Sequence, residues 1–155
     1  MKQKIISWCA EYLIFVGAVV VLFFLISQPT FQTGIYMFLA MAVTISSLWF
    51  LGAILKFLIR KERPKEKYKN IIERDRYAFP SMHALTISSA FTYVIMFNYL
   101  YGVILFLIAF VIMYSRVRTH MHYMADMIAG FCLGVIFTYI FSPIFEKYIS
   151  LFFNF

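Results

Sequence analysis

Ser115-Arg-Val-Arg-Thr-His-Met-His-Tyr-Met-Ala-Asp126 sets seven polar or ionisable side chains between two long apolar runs. Such groups are costly in hydrocarbon and mark a functional site when a chain keeps them between membrane spans. If the chain enters a helix at His122, Asp126 lies one turn further along the same face, where its carboxylate accepts a hydrogen bond from an imidazole nitrogen. That bond fixes the tautomer and leaves the other nitrogen as a nucleophile. Arg116 and Arg118 add permanently charged, fork-shaped donors suited to a phosphoryl group.

Working outward, 63% of the 155 residues are apolar and only 14% are charged, with a mean hydropathy of +0.83. No ordinary soluble domain of this length has that balance, so an integral membrane protein is expected. The chain is spent almost wholly on spans, which leaves one all-α transmembrane domain over residues 1–155. The net charge of +7 suits anionic headgroups or an anionic substrate. Nucleic acid is the weakest partner, because the basic residues flank spans and are not carried on a soluble module. Cys9 and Cys132 sit far apart in apolar sequence and suggest neither a disulfide nor a metal site. Glu11 interrupts the first apolar run and no small-residue cleavage pattern follows Ser27, which argues against a cleaved leader.

Five spans are expected. The first runs from Glu11 or Tyr12 to Ser27, after an interfacial start carrying Lys2, Lys4 and Trp8. The second runs from Ile35 to Phe57, and the third from Met82 to Tyr99. A turn near Gly102 then leads to a short fourth span, Val103 to Tyr114. The fifth covers Tyr123 to Phe141, stops at Pro143, and leaves Ile144 to Phe155 as a short interfacial segment. Between the second and third spans lies a hydrophilic stretch, Lys56 to Arg76, with nine basic and four acidic residues. Pro64 is expected to end any helix continuing into it. Five crossings put this stretch and the 115–123 loop on one face of the membrane. The positive-inside rule taken alone would call that face cytoplasmic, although several of its cations are of the kind retained for a substrate.

Three clusters meet on that face. Lys56 and Arg63 are about two helical turns apart and can point to one side, whereas Arg60, Lys61, Lys65, Lys67 and Lys69 read as a basic collar reaching for headgroups. Pro80 and Ser81 open the third span, where Ser81 either caps the helix or donates to a phosphate oxygen. His83, just inside, can deliver a proton to a leaving oxygen. The third cluster is the opening stretch, in which His122 and Asp126 could also be a buried pair that merely ties two helices together. Metal binding by His83, His120, His122 and Asp126 is disfavoured, since Lys56, Arg63 and Arg116 repel a divalent cation and attract a phosphate. Together the clusters supply a cationic cradle, a nucleophile and a separate proton donor.

Lys56 with Arg63-Pro64, Pro80-Ser81-x-His83, and Ser115-Arg116 with His122 and Asp126 resemble the three-part signature of the type-2 phosphatidic-acid phosphatase (lipid phosphate phosphatase) family over about residues 50–140. The resemblance implies that His122 forms a phosphohistidine, that Asp126 orients it, and that His83 protonates the departing lipid alkoxide. Lys56, Arg63, Ser81, Arg116 and the backbone N–H of Met82 would hold the phosphoryl oxygens, with no metal and no cofactor. His120 and Arg118 match no position of the signature. The family usually has glycine where Met82 stands, and commonly six spans instead of five. Small bacterial members point to phosphatidylglycerophosphate or the 1-phosphate of lipid A as substrate, with phosphatidic acid or an isoprenyl diphosphate next, and to the inner membrane with the active site on its periplasmic face. The rival readings are a phosphotransferase passing the group to another lipid and, from a different class, a non-enzymatic bundle that binds or transports anionic lipids.

Overall fold

The computed structural model describes residues 2–63 and 77–153, with side chains described for 12–63 and 77–152. The expectations for the side chains of Lys2, Lys4, Trp8 and Cys9 lie outside the described side chains, and those for Pro64, Lys65, Lys67 and Lys69 lie outside the described residues. Five helices follow one another: α1 (Lys2–Ile26), α2 (Phe31–Ile59), α3 (Met82–Phe97), α4 (Tyr99–Arg118) and α5 (Met124–Phe153). Helices α2, α4 and α5 are each long and apolar enough to cross a bilayer; α3 is a shorter apolar helix of 16 residues. All are apolar on nearly every side. Phe31, Phe50, Phe57, Leu107, Tyr139 and Phe152 are exposed, as suits a bundle whose outer solvent is hydrocarbon.

Helix α3 sits at the centre and touches all four others. Its buried residues are small or hydroxylic on the side facing α5, where Ser89 and Thr138 share a 2.7 Å hydrogen bond. Gly130 and Gly134 let α5 come that close. A Cβ on Gly130 would stand 2.7 Å from the Ser81 carbonyl oxygen, and one on Gly134 would stand 1.9 Å from Ser88 Oγ and 2.7 Å from the Leu85 oxygen. This is a small-xxx-small seam of the kind that packs helices in lipid, where burial against hydrocarbon gains nothing. Further along, Phe24, Met37, Met41, Tyr93, Val94 and Leu105 form the apolar core among α1 to α4.

Three boundaries differ from expectation. The hairpin between α3 and α4 turns at Asn98, not at Gly102. Asn98 has extended backbone and its Oδ1 accepts from Tyr101 N–H, so it caps α4 and ends α3 at once. Gly102 is helical and buried, its missing Cβ position 2.4 Å from Ile95 Cβ, so its use is close packing rather than turning. Helix α4 accordingly runs through Arg118. Helix α5 continues through Pro143 to Phe153, so the expected interfacial tail is the last turns of one helix. In lipid there is no water to satisfy a broken backbone, which favours a helix that absorbs its proline over one that stops at it.

Candidate active site

Helix α2 stops at Ile59 because Arg60 adopts left-handed backbone, with φ 48°. Lys56 therefore points from the last helical turn, while Arg63 reaches the site along an extended segment and not from the same helix face. Glu62 and Tyr77 form a single antiparallel bridge, and Ala78 N–H donates to the Lys61 oxygen at 2.8 Å. Lys56 Nζ donates to the Tyr77 oxygen at 3.1 Å. Two strands of loop are thereby tied across the end of the bundle.

Helix α4 ends in a Schellman turn. His120 N–H donates to the Val117 oxygen and Met121 N–H to the Arg116 oxygen, each at 3.1 Å, with His120 left-handed at φ 57°. The motif usually places glycine there. His120 is exposed, as is Arg118, while Arg116 is buried. Of the two arginines read as an anion clamp, the structure turns only Arg116 inward. The Schellman turn folds Met121 and His122 back over Arg116, whose Nη1 donates to Met121 Sδ at 3.2 Å.

His122 lies ahead of α5, so the one-turn pairing with Asp126 does not form. Its Nδ1 is 2.9 Å from the Ala78 carbonyl oxygen. A carbonyl only accepts, so Nδ1 carries the hydrogen and Nε2 keeps the lone pair. That lone pair faces Arg63 Nη1 at 3.4 Å, and the same Nη1 donates to the Met121 oxygen at 3.3 Å. The orienting group is thus a backbone carbonyl. Asp126 instead closes the start of α5. Its Oδ2 accepts from Tyr123 N–H at 3.0 Å, the reaching-back half of a capping box. Its Oδ1 accepts from Lys61 Nζ, which also lies over the Tyr123 ring. Lys61, read from the sequence as part of a headgroup collar, is therefore a partner of the buried carboxylate.

Ser81 is fully buried and caps α3. Its Oγ accepts from Ala84 N–H at 3.5 Å, and its own N–H donates to the Asp126 oxygen at 3.2 Å. The start of α3 is in this way stitched to the start of α5. His83, the second residue of α3, has Nε2 3.0 Å from Arg116 Nη2. A guanidinium only donates, so this nitrogen is the acceptor. The two imidazoles are each met by a guanidinium, Arg63 on His122 and Arg116 on His83, and both guanidinia contact Met121. Met82 points its thioether toward Gly52 of α2. Lys56, Lys61, Arg63 and Arg116 against Asp126 leave a surplus of three positive charges, fit for a phosphate dianion. No group of three His, Cys, Asp or Glu side chains placed to hold a metal occurs among the described residues.

Lys61→Met should lower stability by on the order of 1–3 kcal/mol, because Asp126, with no exposed side-chain surface, is left a carboxylate short of its cation. Lys61 is itself about a third exposed, which keeps the effect below that of a fully enclosed pair. Denaturant unfolding in detergent measures it. An unchanged midpoint would mean that the capping bond alone satisfies the carboxylate.

Sequence reasoning missed Lys61, Ala78, Met121 and the glycine seam. Ala78 and Met121 act through backbone oxygens that no side-chain pattern announces. Gly130-x-x-x-Gly134 was there to be read.

The pattern of the PAP2 superfamily matches residues 35–150. No curated protein matches the sequence. Among solved structures, the fold is similar to one described as the crystal structure of the first transmembrane PAP2 type phosphatidylglycerolphosphate phosphatase from Bacillus subtilis. The TM-score is 0.64 over 94% of this chain and 77% of that one, at 17% identity, so that likeness speaks for the fold alone. The family match takes in every side chain of the site described above and well over half of the sequence: this integral membrane chain belongs to the PAP2 superfamily.

Proposed function

We propose that this membrane lipid phosphatase hydrolyses a terminal phosphate monoester of a lipid through a phosphohistidine on His122, without a metal. The observation that carries the reading is the orientation of His122: Nδ1 is spent on Ala78 and the Nε2 lone pair is turned toward a guanidinium. A phosphoryl group drawn to Arg63, Arg116 and Lys56 meets that lone pair. Nε2 attacks phosphorus, the phosphorus–oxygen bond to the lipid breaks, and the departing alkoxide takes a proton from His83. For this His83 must hold a proton on Nε2, which it takes up from solvent once Arg116 has exchanged that nitrogen for a phosphoryl oxygen. Water, giving its proton back to His83, then attacks phosphorus; the nitrogen–phosphorus bond breaks and phosphate leaves. Ser81 and the backbone N–H of Met82, at the positive end of α3, add to the cradle.

The substrates favoured are phosphatidylglycerophosphate and the 1-phosphate of lipid A, met on the periplasmic face of a bacterial inner membrane. Phosphate release from a panel of phospholipids and lipid A in detergent, with EDTA present, tests the reading. Release without an acceptor lipid is expected. A binding or transport bundle would release none, and a phosphotransferase would release phosphate from one lipid only as another gained it.

A further inference from the structure

A guanidinium taken out of water is ordinarily held by a carboxylate, and a carboxylate set on Arg63 or Arg116 would cancel the charge that a phosphoryl group needs. Met121 holds both arginines with uncharged acceptors. Its side chain is fully buried. Its Sδ accepts from Arg116 Nη1 at 3.2 Å, its carbonyl oxygen accepts from Arg63 Nη1 at 3.3 Å, and its N–H donates to the Arg116 oxygen at 3.1 Å. The thioether is a weak, polarisable acceptor, but Arg116 is only 2% exposed, so bulk water does not compete for it. The fork of Arg116 is divided, with Nη1 on Met121 and Nη2 3.0 Å from His83 Nε2. One prong can stay anchored while the other passes from the imidazole to a phosphoryl oxygen. In an unbroken helix a residue five positions on lies about 140° round the axis. The Schellman turn at His120 is what folds residue 121 back over residue 116.

We propose that Met121 is a positioning residue of the phosphate site: its thioether anchors one prong of Arg116 and leaves the guanidinium's charge intact for a phosphate dianion, while its carbonyl oxygen sets Arg63 alongside. The proposal rests on the phosphatase reading above and deepens its account of how phosphate is held. With one residue tied to both guanidinia, their spacing follows from a single backbone position, and they reach His122 and His83 together. Leucine at 121 fills the same space but takes this acceptor from Nη1, so the fork can pivot. Glutamine puts an amide oxygen where the sulfur stands and restores the anchor without adding charge. Glutamate anchors the fork and neutralises it.

The test titrates inorganic phosphate calorimetrically against the full chain in detergent, with kcat and KM for phosphatidic acid measured alongside. Met121→Leu should raise the dissociation constant for phosphate about fivefold, the size of one modest hydrogen bond, and raise KM by a similar factor. Met121→Gln should bring both back to within about twofold of the unsubstituted protein. A role in packing alone gives the reverse order, since leucine keeps the apolar volume and glutamine buries an amide. In an Arg116→Lys background, where no fork is left to anchor, Met121→Leu should cause no further loss. If the leucine variant folds poorly, Met121→Glu decides: neutralising the guanidinium should weaken phosphate binding by a factor on the order of 100, and a loss of less than about tenfold overturns the proposal. Leucine equal to the unsubstituted protein, glutamine no better than leucine, or a full loss in the Arg116→Lys background overturns the positioning role and leaves the phosphatase standing. Phosphate bound with the expected order of variants, but released from no lipid, overturns the hydrolase and leaves the positioning role. Phosphate not bound at all overturns both.

Discussion

His122→Ala should lower phosphate release by a factor on the order of 10⁴, since removing a covalent nucleophile leaves only what the surrounding donors achieve by binding and charge. The argument is geometric. Nδ1–H is committed to Ala78 at 2.9 Å, so the ring cannot swing away and Nε2 cannot carry the hydrogen instead. Alanine removes the attacking atom but leaves Arg63, Arg116 and Lys56 in place, so the variant should still bind lipid phosphate while failing to turn it over. Initial rates in detergent, beside a binding measurement with the same lipid, separate these. A loss of less than about tenfold would assign the attack on phosphorus to another group.

The second large effect concerns the seam on which the site is mounted. Gly134→Ala puts a methyl carbon 1.9 Å from Ser88 Oγ and 2.7 Å from the Leu85 carbonyl oxygen. The hydroxyl can rotate, but the carbonyl belongs to the backbone of α3 and cannot. The two helices must separate, at a cost of roughly 2–3 kcal/mol from overpacking. Separation also pulls Ser81 N–H from the Asp126 oxygen, a 3.2 Å bond joining the starts of α3 and α5. Activity should therefore fall together with unfolding temperature. Ile136→Ala, on the lipid-exposed side of α5, should cost little in either. Equal stability of the two variants would contradict the close approach at residue 134.

The number and order of helices could be read from apolar runs, because a bilayer demands them whatever the tertiary packing. Their ends could not. Asn98 outcompetes Gly102 as a turn because its side chain satisfies a backbone N–H, and Pro143 is carried inside a helix because lipid offers no better alternative. In the site, Lys56, Arg63, Ser81, His83, Arg116, His122 and Asp126 were identified by type and do gather at one end. Their pairings were less accessible. A four-residue interval places His122 beside Asp126 only if both are helical, and the Schellman turn at His120 puts His122 outside the helix. The carboxylate then takes Lys61, and the imidazole takes a carbonyl that resides 44 positions away.

The connections between helices are distributed very unevenly. At the end bearing His122 they include a long polar segment and a five-residue turn, whereas at the opposite end α1 joins α2 across Ser27–Thr30 and α3 joins α4 at Asn98 alone. Those two connections, five residues together, offer almost no surface for a protease, an antibody or a regulatory protein to grip. A partner that grips the connections between helices therefore finds most of that surface at the end bearing His122, and competes there with the phosphate-bearing ligand for room.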